Sequence, residues 1–277
     1  MSIEFTADRP LLLVGCGNMG GALFRGWIAA GISPKAIRVI EPSSVDRPVA
    51  YGAEPANVFT EVPQGGPVPR AILMAVKPQM MGKVLPTLRP LIGEDTLVIS
   101  VAAGTTLKRM EELTGGHPRL IRAMPNTPAA VGRGATVIVA RPEVTPDERA
   151  LTKNLLSAVG SAYEVEEEAL IDAVTALSGS GPAYVFHLME CMAAAGAKLG
   201  LPPALALDLA RDTVAGAGEL AKRSQDDPST LRVQVTSPNG TTAAGLSILM
   251  SEQGLAPLIQ ATLTAAYNRS RELGQDT

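Results

Sequence analysis

A glycine-rich segment near the start of the chain has the spacing of a phosphate-binding turn. Gly15, Gly17 and Gly20 form a Gly-x-Gly-x-x-Gly sequence between a short apolar run and a segment with helical spacing. The first glycine of such a turn permits its tight bend, the second lets a pyrophosphate approach the backbone, and the third brings the helix close to the strand. With Asn18 and Met19 at the helix start, these glycines predict a dinucleotide site, because free N–H groups there bind phosphate. The alternative is a glycine-rich turn that binds nothing.

An acidic residue, Glu41, follows the last of these glycines at about the spacing of a ribose-binding acid, roughly 20 residues. A carboxylate at this position accepts hydrogen bonds from the adenosine ribose and favours NAD over NADP. Ser43, Ser44 and Arg47 come directly after it, and hydroxyls with a guanidinium suit the additional phosphate of NADP. The sequence therefore leaves NADH and NADPH both open. It also leaves open that Glu41 is only a solvated acid at the end of a strand.

Three further loops follow the ends of predicted strands, where ligands of parallel sheets bind. Small residues at positions 102–104, Ala102 among them, leave room for a flat ring, and Asn126 offers an amide between two prolines. The remaining loop contributes Ala75, Val76, Lys77 and Pro78. We predict that these residues contact the cofactor, with a rigid structural loop as the alternative at Asn126.

Short apolar runs alternate with helical patterns in the first half of the chain. Strands are predicted at residues 11–15, 37–40, 71–76, 96–102, 120–124 and 135–140. Helices are predicted at residues 19–30, 78–91, 105–113 and 147–159. This alternation favours a parallel sheet that helices cover on both faces.

The second half has almost no strand pattern. Helices are predicted at residues 169–177, 182–199, 203–222, 229–235, 241–251 and 255–271. We therefore predict an α/β protein with a Rossmann-type dinucleotide-binding domain at residues 1–164 and an all-α domain at residues 165–277. Because the helices of the second half are apolar over more than one stripe, we expect a partner subunit to bury them.

The composition excludes several classes of protein. The 27 acidic and 24 basic residues give a net charge of −3, which favours neither nucleic acid nor an anionic membrane as a partner. Two histidines and two cysteines form no recognisable ligand pattern, so no metal is expected. No apolar run approaches the roughly 20 residues of a membrane helix, and charges within residues 1–9 are unlike a signal peptide. We expect a cytoplasmic protein with reduced cysteines.

Two loops in the helical half differ from plain helix connections. Residues 178–184 read Ser-Gly-Ser-Gly-Pro-Ala-Tyr, residues 236–242 read Thr-Ser-Pro-Asn-Gly-Thr-Thr, and each loop opens a helix. Backbone N–H groups of Gly240 and Thr241 at such a helix start, with Ser237 nearby, can hold an anion. The alternative is that each loop only caps its helix.

Five motifs of the chain resemble those of pyrroline-5-carboxylate reductase, in the same order and at the same separations. They are residues 14–20, 75–78, 124–128, 178–184 and 236–242. The resemblance covers nearly the whole chain and implies reduction of 1-pyrroline-5-carboxylate to L-proline with NADPH or NADH, the last step of proline biosynthesis. It also implies that the helical domain interlocks with that of a second subunit, that such dimers are able to form larger rings, and that the substrate binds between the Rossmann domain and the helical dimer.

The resemblance further implies which residues bind the substrate. Thr242 matches the position whose hydroxyl bonds the ring nitrogen, and since threonine is a poor acid we assign it orientation and proton relay rather than general-acid catalysis. Ser180, Asn239 and Ser237 are assigned to substrate binding, together with the backbone N–H groups of Gly240 and Thr241. Asn239 stands where family members commonly have glycine. Because asparagine tolerates the left-handed conformation, we expect the loop to keep its shape.

Two other functions are compatible with the same architecture. An enzyme of the 3-hydroxyacid dehydrogenase type needs a lysine as acid and base on the first long helix of the helical half, where Lys198 stands only at the far end. A non-enzymatic redox sensor would bind the dinucleotide and would not need the loop at residues 236–242.

The resemblance also bears on the choice of cofactor. Many members of the pyrroline-5-carboxylate reductase family lack an acid at the position of Glu41, and the family more often uses NADPH. The acid in this chain therefore favours NADH.

Overall fold

A computed structural model describes residues 5–275 of the chain. Within these residues one sheet contains eight strands: β1 (Leu11–Val14), β2 (Ile37–Ile40), β3 (Val58–Phe59), β4 (Ala71–Met74), β5 (Leu97–Ser100), β6 (Leu120–Met124), β7 (Gly134–Ala140) and β8 (Gly160–Glu164). Their spatial order is β3-β2-β1-β4-β5-β6-β7-β8. The chain changes direction across the sheet between β1 and β4, and open α/β sheets bind ligands at such a point.

The sheet is mainly parallel, as predicted, and the Rossmann-type α/β architecture is confirmed. The prediction is wrong for β7, which pairs antiparallel with β6. A parallel neighbour needs a crossover of about a dozen residues or more, whereas only residues 125–133 separate these two strands. A 3₁₀ helix, Thr127–Val131, lies in this connection, and Gly132 ends it in the left-handed conformation. Strands β3 and β8 lie in segments for which the sequence predicts no element.

Within the described residues five α-helices lie between strands, and a sixth comes directly after β8: α1 (Asn18–Ala29), α2 (Asp46–Ala50), α3 (Met81–Val84), α4 (Leu107–Thr114), α5 (Pro146–Ser157) and α6 (Leu170–Val174). The single helix predicted at residues 78–91 is wrong in part. Helix α3 is flanked there by two 3₁₀ helices, Pro78–Met80 and Leu85–Leu91. Pro86 and Pro90 have no N–H group to donate, which interrupts a regular α-helix.

Alternate side chains of the strands pack on opposite faces of the sheet. Leu11 and Leu13 of β1 belong to a buried cluster that includes Trp27 of α1, whereas Leu12 belongs to the cluster beneath α3 and α4. The Trp27 Nε1 donates to the Leu155 carbonyl at 2.8 Å, so its polar atom is satisfied. Each fully buried side chain of this size contributes about 1.5–3 kcal/mol. The two apolar layers therefore hold the sheet rigid beneath the loops at its carboxyl edge.

The described chain forms two compact units. One contains the residues up to Gly179 together with those from Tyr267 onward, and the other is Ser180–Ala266. The first unit thus extends beyond residue 164, where the domain boundary was predicted. Ile171 of α6 is fully buried in the cluster beneath α3 and α4, which explains why this segment joins the sheet. The boundary at residue 164 stays a prediction.

The helices of the second half are α7 (Gly181–Lys198), α8 (Pro203–Arg223), α9 (Pro228–Gln234), α10 (Thr241–Leu249) and α11 (Leu255–Gln275). Within Ser180–Ala266 only Ala206 and Ala210 are buried. Large apolar side chains such as Phe186 and Ile248 are 57% and 72% exposed. So much exposed apolar surface on a small unit marks an interaction face. Within residues 5–275 no helix is both long and apolar enough to cross a membrane.

Candidate functional site

The glycine turn lies between β1 and α1, at the carboxyl edge of the sheet. Gly15 has φ 91°, and a methyl group there would lie 2.8 Å from the Ala75 carbonyl oxygen. A methyl group on Gly20 would collide with the Gly15 carbonyl oxygen. Around Gly17, by contrast, a methyl group would meet no described atom within 4 Å. The protein itself therefore requires the first and third glycines, whereas Gly17 borders open space in front of the N-terminus of α1, which begins at Asn18.

Glu41 lies directly after β2 and is only 6% exposed. Its Oε2 accepts a hydrogen bond from the Cys16 N–H at 2.7 Å, and its Oε1 accepts from the Ser43 N–H at 3.0 Å and from the Ser43 hydroxyl. Burial opposes the charged form, but these hydrogen bonds and the nearby Arg47 guanidinium outweigh it and lower the pKa of Glu41. The side chain is thus a buried carboxylate that ties the glycine turn to the end of β2.

This arrangement decides which groups around Glu41 are left for a ligand. A carboxylate has about four acceptor positions, of which three are used within the protein. The Ser43 hydroxyl gives its only proton to Glu41, so it has none to donate to a phosphate. Ser44 is half-buried and Arg47 is exposed. Ribose binding by Glu41 and phosphate binding by Ser43 both stay predictions.

Cys16 lies inside the glycine turn and is fully buried. Burial, reinforced by the Glu41 carboxylate, raises the pKa of this thiol to about 11. Since the thiolate is the reactive form of cysteine, Cys16 is an inert small side chain at neutral pH. It is not bonded to Cys191, and both cysteines are free thiols.

The loops after β4 and β5 lie beside the glycine turn, because β1, β4 and β5 are parallel neighbours. Ala75 donates its N–H to the Val14 carbonyl at 2.8 Å, which fixes the start of the loop formed by Ala75, Val76, Lys77 and Pro78. Lys77 is exposed. Ala102 is only 4% exposed and packs in the core, and its contact with the cofactor stays a prediction. The exposed Ala103 and the half-buried Gly104 lie next to it.

Asn126 lies in the connection between β6 and β7 and uses both ends of its amide within the protein. Its Nδ2 donates to the Ser178 carbonyl at 3.0 Å, and its Oδ1 accepts from the Ala135 N–H at 2.8 Å. The predicted contact of Asn126 with the cofactor is not tested by these bonds. They show a structural link that the sequence did not predict.

The loop before α10 forms a tight turn. Gly240 donates its N–H to the Ser237 carbonyl at 3.0 Å, with Pro238 and Asn239 between them. Asn239 has φ 57° and is the one non-glycine residue with a positive φ among the described residues. Proline second and a left-handed residue third are typical of a type II turn. The asparagine therefore adopts the left-handed conformation that the sequence analysis expects where the family commonly has glycine.

Helix α10 begins at Thr241, directly after this turn. The first N–H groups of a helix have no partner within it, and the first turn of α10 contains no acidic residue. Ser237, Thr241 and Thr242 are exposed in their unit. The start of α10 therefore presents hydroxyls and N–H groups that suit an anion. Ser180 directly precedes α7 and is half-buried.

A depression of about 480 Å³ lies between α9 and α10. It is lined by Arg232, Val233, Thr236, Ala243, Leu246, Ser247 and Met250. Arg232 could not be predicted from the sequence as part of this depression, because an isolated arginine carries no spacing signal. Its carbonyl accepts a hydrogen bond from the Thr236 hydroxyl at 2.6 Å, which joins the end of α9 to the loop before α10.

Two family models match the chain. The one described as pyrroline-5-carboxylate reductase dimerisation covers residues 168–273. The one described as NADP oxidoreductase, coenzyme F420-dependent, covers residues 11–104. The first match includes α6 to α10 and most of α11, and the second includes the glycine turn and the loops after β4 and β5.

Similar proteins match over nearly their whole length. A pyrroline-5-carboxylate reductase from a Synechocystis species is 41% identical over 269 residues, which are 95% of this chain and 97% of that reductase. The structure of a pyrroline-5-carboxylate reductase from Coxiella burnetii has a TM-score of 0.89 and 36% identity, and covers 96% of this chain and 98% of that one. The Plasmodium falciparum pyrroline carboxylate reductase with NADP bound has a TM-score of 0.79 and 28% identity, and covers 97% and 99%. The chain belongs to the pyrroline-5-carboxylate reductase family.

Proposed function

We propose that the protein reduces 1-pyrroline-5-carboxylate to L-proline, the last step of proline biosynthesis, with a reduced nicotinamide dinucleotide as the hydride donor. The observation that carries this proposal is the glycine turn with open space at Gly17, in a chain similar to pyrroline-5-carboxylate reductases along nearly its whole length. A pyrophosphate can approach the backbone there, because no atom of the described residues lies within 4 Å of a methyl group placed on Gly17. The donor set at the start of α10 supports an anionic substrate.

The cofactor supplies the hydride for the C=N carbon, and the protein binds and orients. The Thr241 N–H and the Ser237 hydroxyl bind the substrate carboxylate, because both are donors at the positive end of a helix. The Gly240 N–H already donates to the Ser237 carbonyl, so Gly240 contributes the turn that places these donors. Asn239 shapes this turn, and Ser180 borders the substrate from the start of α7. The Thr242 hydroxyl bonds the ring nitrogen and orients it. When the imine enters as an iminium, its nitrogen already carries the proton, so no strong acid is required.

We propose that Glu41 makes NADH the preferred cofactor over NADPH. Its pKa is lowered, so it is negatively charged at neutral pH, and it is buried where screening by water is weak. A second negative group, the 2′-phosphate of NADPH, is repelled by that charge, whereas a ribose hydroxyl can use the remaining acceptor position. The opposing arrangement is a phosphate site formed by Ser44 and Arg47.

The ratio of kcat/KM for NADH to that for NADPH tests this preference. We expect wild-type protein to favour NADH and Glu41→Gln to shift the ratio toward NADPH about tenfold, which corresponds to ~1.4 kcal/mol of lost repulsion. Arg47→Gln is the matched control and should leave the ratio within about twofold. A wild-type preference for NADPH that Arg47→Gln abolishes would overturn the proposal and assign Ser44 and Arg47 to the phosphate.

We also propose that the protein acts in the cytoplasm as a homodimer formed through its helical domain, with a ring of dimers as a further assembly. The match to the dimerisation model at residues 168–273 supports self-association. The exposed apolar side chains of α7 to α10 also support a dimer formed through these helices, because only Ala206 and Ala210 are buried within Ser180–Ala266. Two free cysteines fit a reducing compartment. Neither nucleic acid nor a membrane is proposed as a partner.

A dehydrogenase acting on 3-hydroxyacids is not favoured by any observation. That reaction needs a base near the substrate. Lys198, the lysine of α7, is the last residue of that helix and is exposed. A redox sensor without turnover differs from the proposed enzyme only in the absence of imine reduction, which a single assay decides.

A further inference from the structure

The side chain of Asn126 joins three segments of the chain that are distant in sequence. Its Nδ2 donates to the carbonyl of Ser178, 52 residues away, and its Oδ1 accepts from the N–H of Ala135, nine residues away. Asn126 itself is half-buried. A single amide thus connects the turn after β6, the start of β7 and the residues that lead into α7.

The segment from Glu168 to Gly179 rests on β6 at both of its ends. At the first end, the buried Arg122 of β6 donates to the Glu168 carboxylate at 2.9 Å. At the other end, Gly179 packs closely on Met124, since a methyl group on Gly179 would lie 2.5 Å from the Met124 Cε. Strand β6 and the turn after it therefore act as the support on which this segment is positioned.

The last part of this segment is a π-helix, Thr175–Gly179. Carbonyl groups at the end of a helix lack partners within it, and the Ser178 carbonyl has Asn126 as its partner instead. Short π-helical turns are frequent at functional sites. Ser180, which is assigned to the substrate, is two residues beyond Ser178.

We propose that Asn126 is a positioning residue for the reduction, and that its amide fixes the loop of Ser178, Gly179 and Ser180 through the Ser178 carbonyl. This inference rests on the proposed function, because the loop matters for turnover only when Ser180 borders the substrate. The amide acts through Ser178 and touches no reacting atom. Contact of Asn126 with the cofactor is a different role, which the same experiment separates.

Asn126→Asp keeps one of the two hydrogen bonds and removes the other, with almost no change in the shape of the side chain. The aspartate oxygen still accepts from the Ala135 N–H, but an ionised carboxylate cannot donate to the Ser178 carbonyl. A protonated aspartic acid can donate again, and a carbonyl at this distance favours the protonated form. The bond to Ser178 is therefore absent at high pH and present at low pH.

We compare the kcat of Asn126→Asp with the wild-type kcat at the same pH. The variant's kcat should be about tenfold lower than wild type at neutral and alkaline pH. The ratio should rise toward one as the pH falls through the pKa of the new carboxyl group. Asn126→Ala should be low at every pH. The Kd for NADH should stay within about twofold of wild type in both variants. Asn57→Asp is the matched control, because Asn57 Nδ2 also donates to a backbone carbonyl, that of Lys35 at 3.3 Å, and its ratio should not change with pH.

Three results would overturn the proposal. One is a kcat ratio for Asn126→Asp that does not change with pH. Another is a wild-type kcat at saturating cofactor with a raised Kd for NADH, which would make Asn126 a cofactor contact. The third is a low kcat of Asn126→Asp that is found only at temperatures at which the variant has begun to unfold. Failure of the proposed function is distinct, because wild-type protein would then oxidise no cofactor with the imine.

A second pair of variants tests the same loop if Asn126→Asp does not fold. Gly179→Ala adds a methyl group against Met124, and we expect kcat to fall severalfold. Adding Met124→Ala makes room for that methyl group and should restore part of kcat. A double variant no better than Gly179→Ala would contradict positioning of the loop by β6 and its turn.

Discussion

Gly17→Ala is expected to weaken NADH binding by roughly 10- to 100-fold while the protein keeps its wild-type fold. A methyl group at this position meets no described atom of the protein within 4 Å, so we expect the stability of the free protein to change little. Gly17 has a negative φ of −71°, so its backbone is not in the left-handed region that favours glycine. In the proposed site the methyl group enters the space of the pyrophosphate, and an added methyl group in a filled site costs about 1–3 kcal/mol.

Gly20→Ala is the comparison that makes this result specific. Its methyl group would collide with the Gly15 carbonyl oxygen, and that atom belongs to the backbone. Helix α1 must therefore move, and we expect a melting temperature several degrees lower together with weaker binding. The measurements are the Kd for NADH and the thermal unfolding of both variants. Wild-type affinity in Gly17→Ala would contradict a phosphate site at this turn.

Thr242→Ala is expected to lower kcat/KM for the imine by roughly 5- to 150-fold. In the proposed role of Thr242, the change removes one hydrogen bond to the ring nitrogen, worth about 1–3 kcal/mol. Thr242 is exposed in its unit, so its replacement should change the free energy of unfolding by no more than about 0.5 kcal/mol. Steady-state kinetics with saturating cofactor and a thermal melt measure the two effects separately.

Thr242→Ser is the control for this variant, because serine keeps the hydroxyl and removes only a methyl group. We expect it to retain most of the wild-type kcat/KM. If Thr242→Ala itself kept wild-type turnover and affinity, the residue would only begin the first turn of α10, and the ring nitrogen would need another partner.

The glycine turn and the strands of the sheet could be predicted because their signals are local. Three glycines at fixed spacing, a preceding apolar run and a following helical pattern lie within residues 11–30. The left-handed conformation of Asn239 was expected from the resemblance, because family members commonly have glycine at this position. Continuous apolar strands such as Leu11–Val14 indicate burial on both faces of a sheet.

Other features depend on contacts between distant residues, which periodicity does not report. The direction of β7 is set by the short connection after β6, and an apolar strand pattern is the same in either direction. Glu41 was identified as a chemically important acid. Its engagement by Cys16, 25 residues away, could not be predicted from spacing. The hydrogen bond from Asn126 to Ser178 joins residues 52 positions apart, and neither segment has a sequence pattern that predicts it.

The end of α11 gives a further example. Its pattern predicts a helix, but nothing in the pattern indicates what the helix packs against. In the structure, residues from Tyr267 onward belong to the unit that contains the sheet. The Ser270 hydroxyl donates to the Asp172 carboxylate at 2.7 Å, across 98 residues of sequence. The domain boundaries of such a chain are therefore less accessible to sequence reasoning than its motifs.

The first measurement to make is the oxidation of NADH and NADPH by the purified protein, with and without 1-pyrroline-5-carboxylate, together with the proline formed. We expect oxidation that requires the imine, with proline appearing in equal amount to the cofactor consumed. Binding of both cofactors with oxidation of neither in the presence of the imine would contradict the proposed function and leave a dinucleotide-binding protein without this activity.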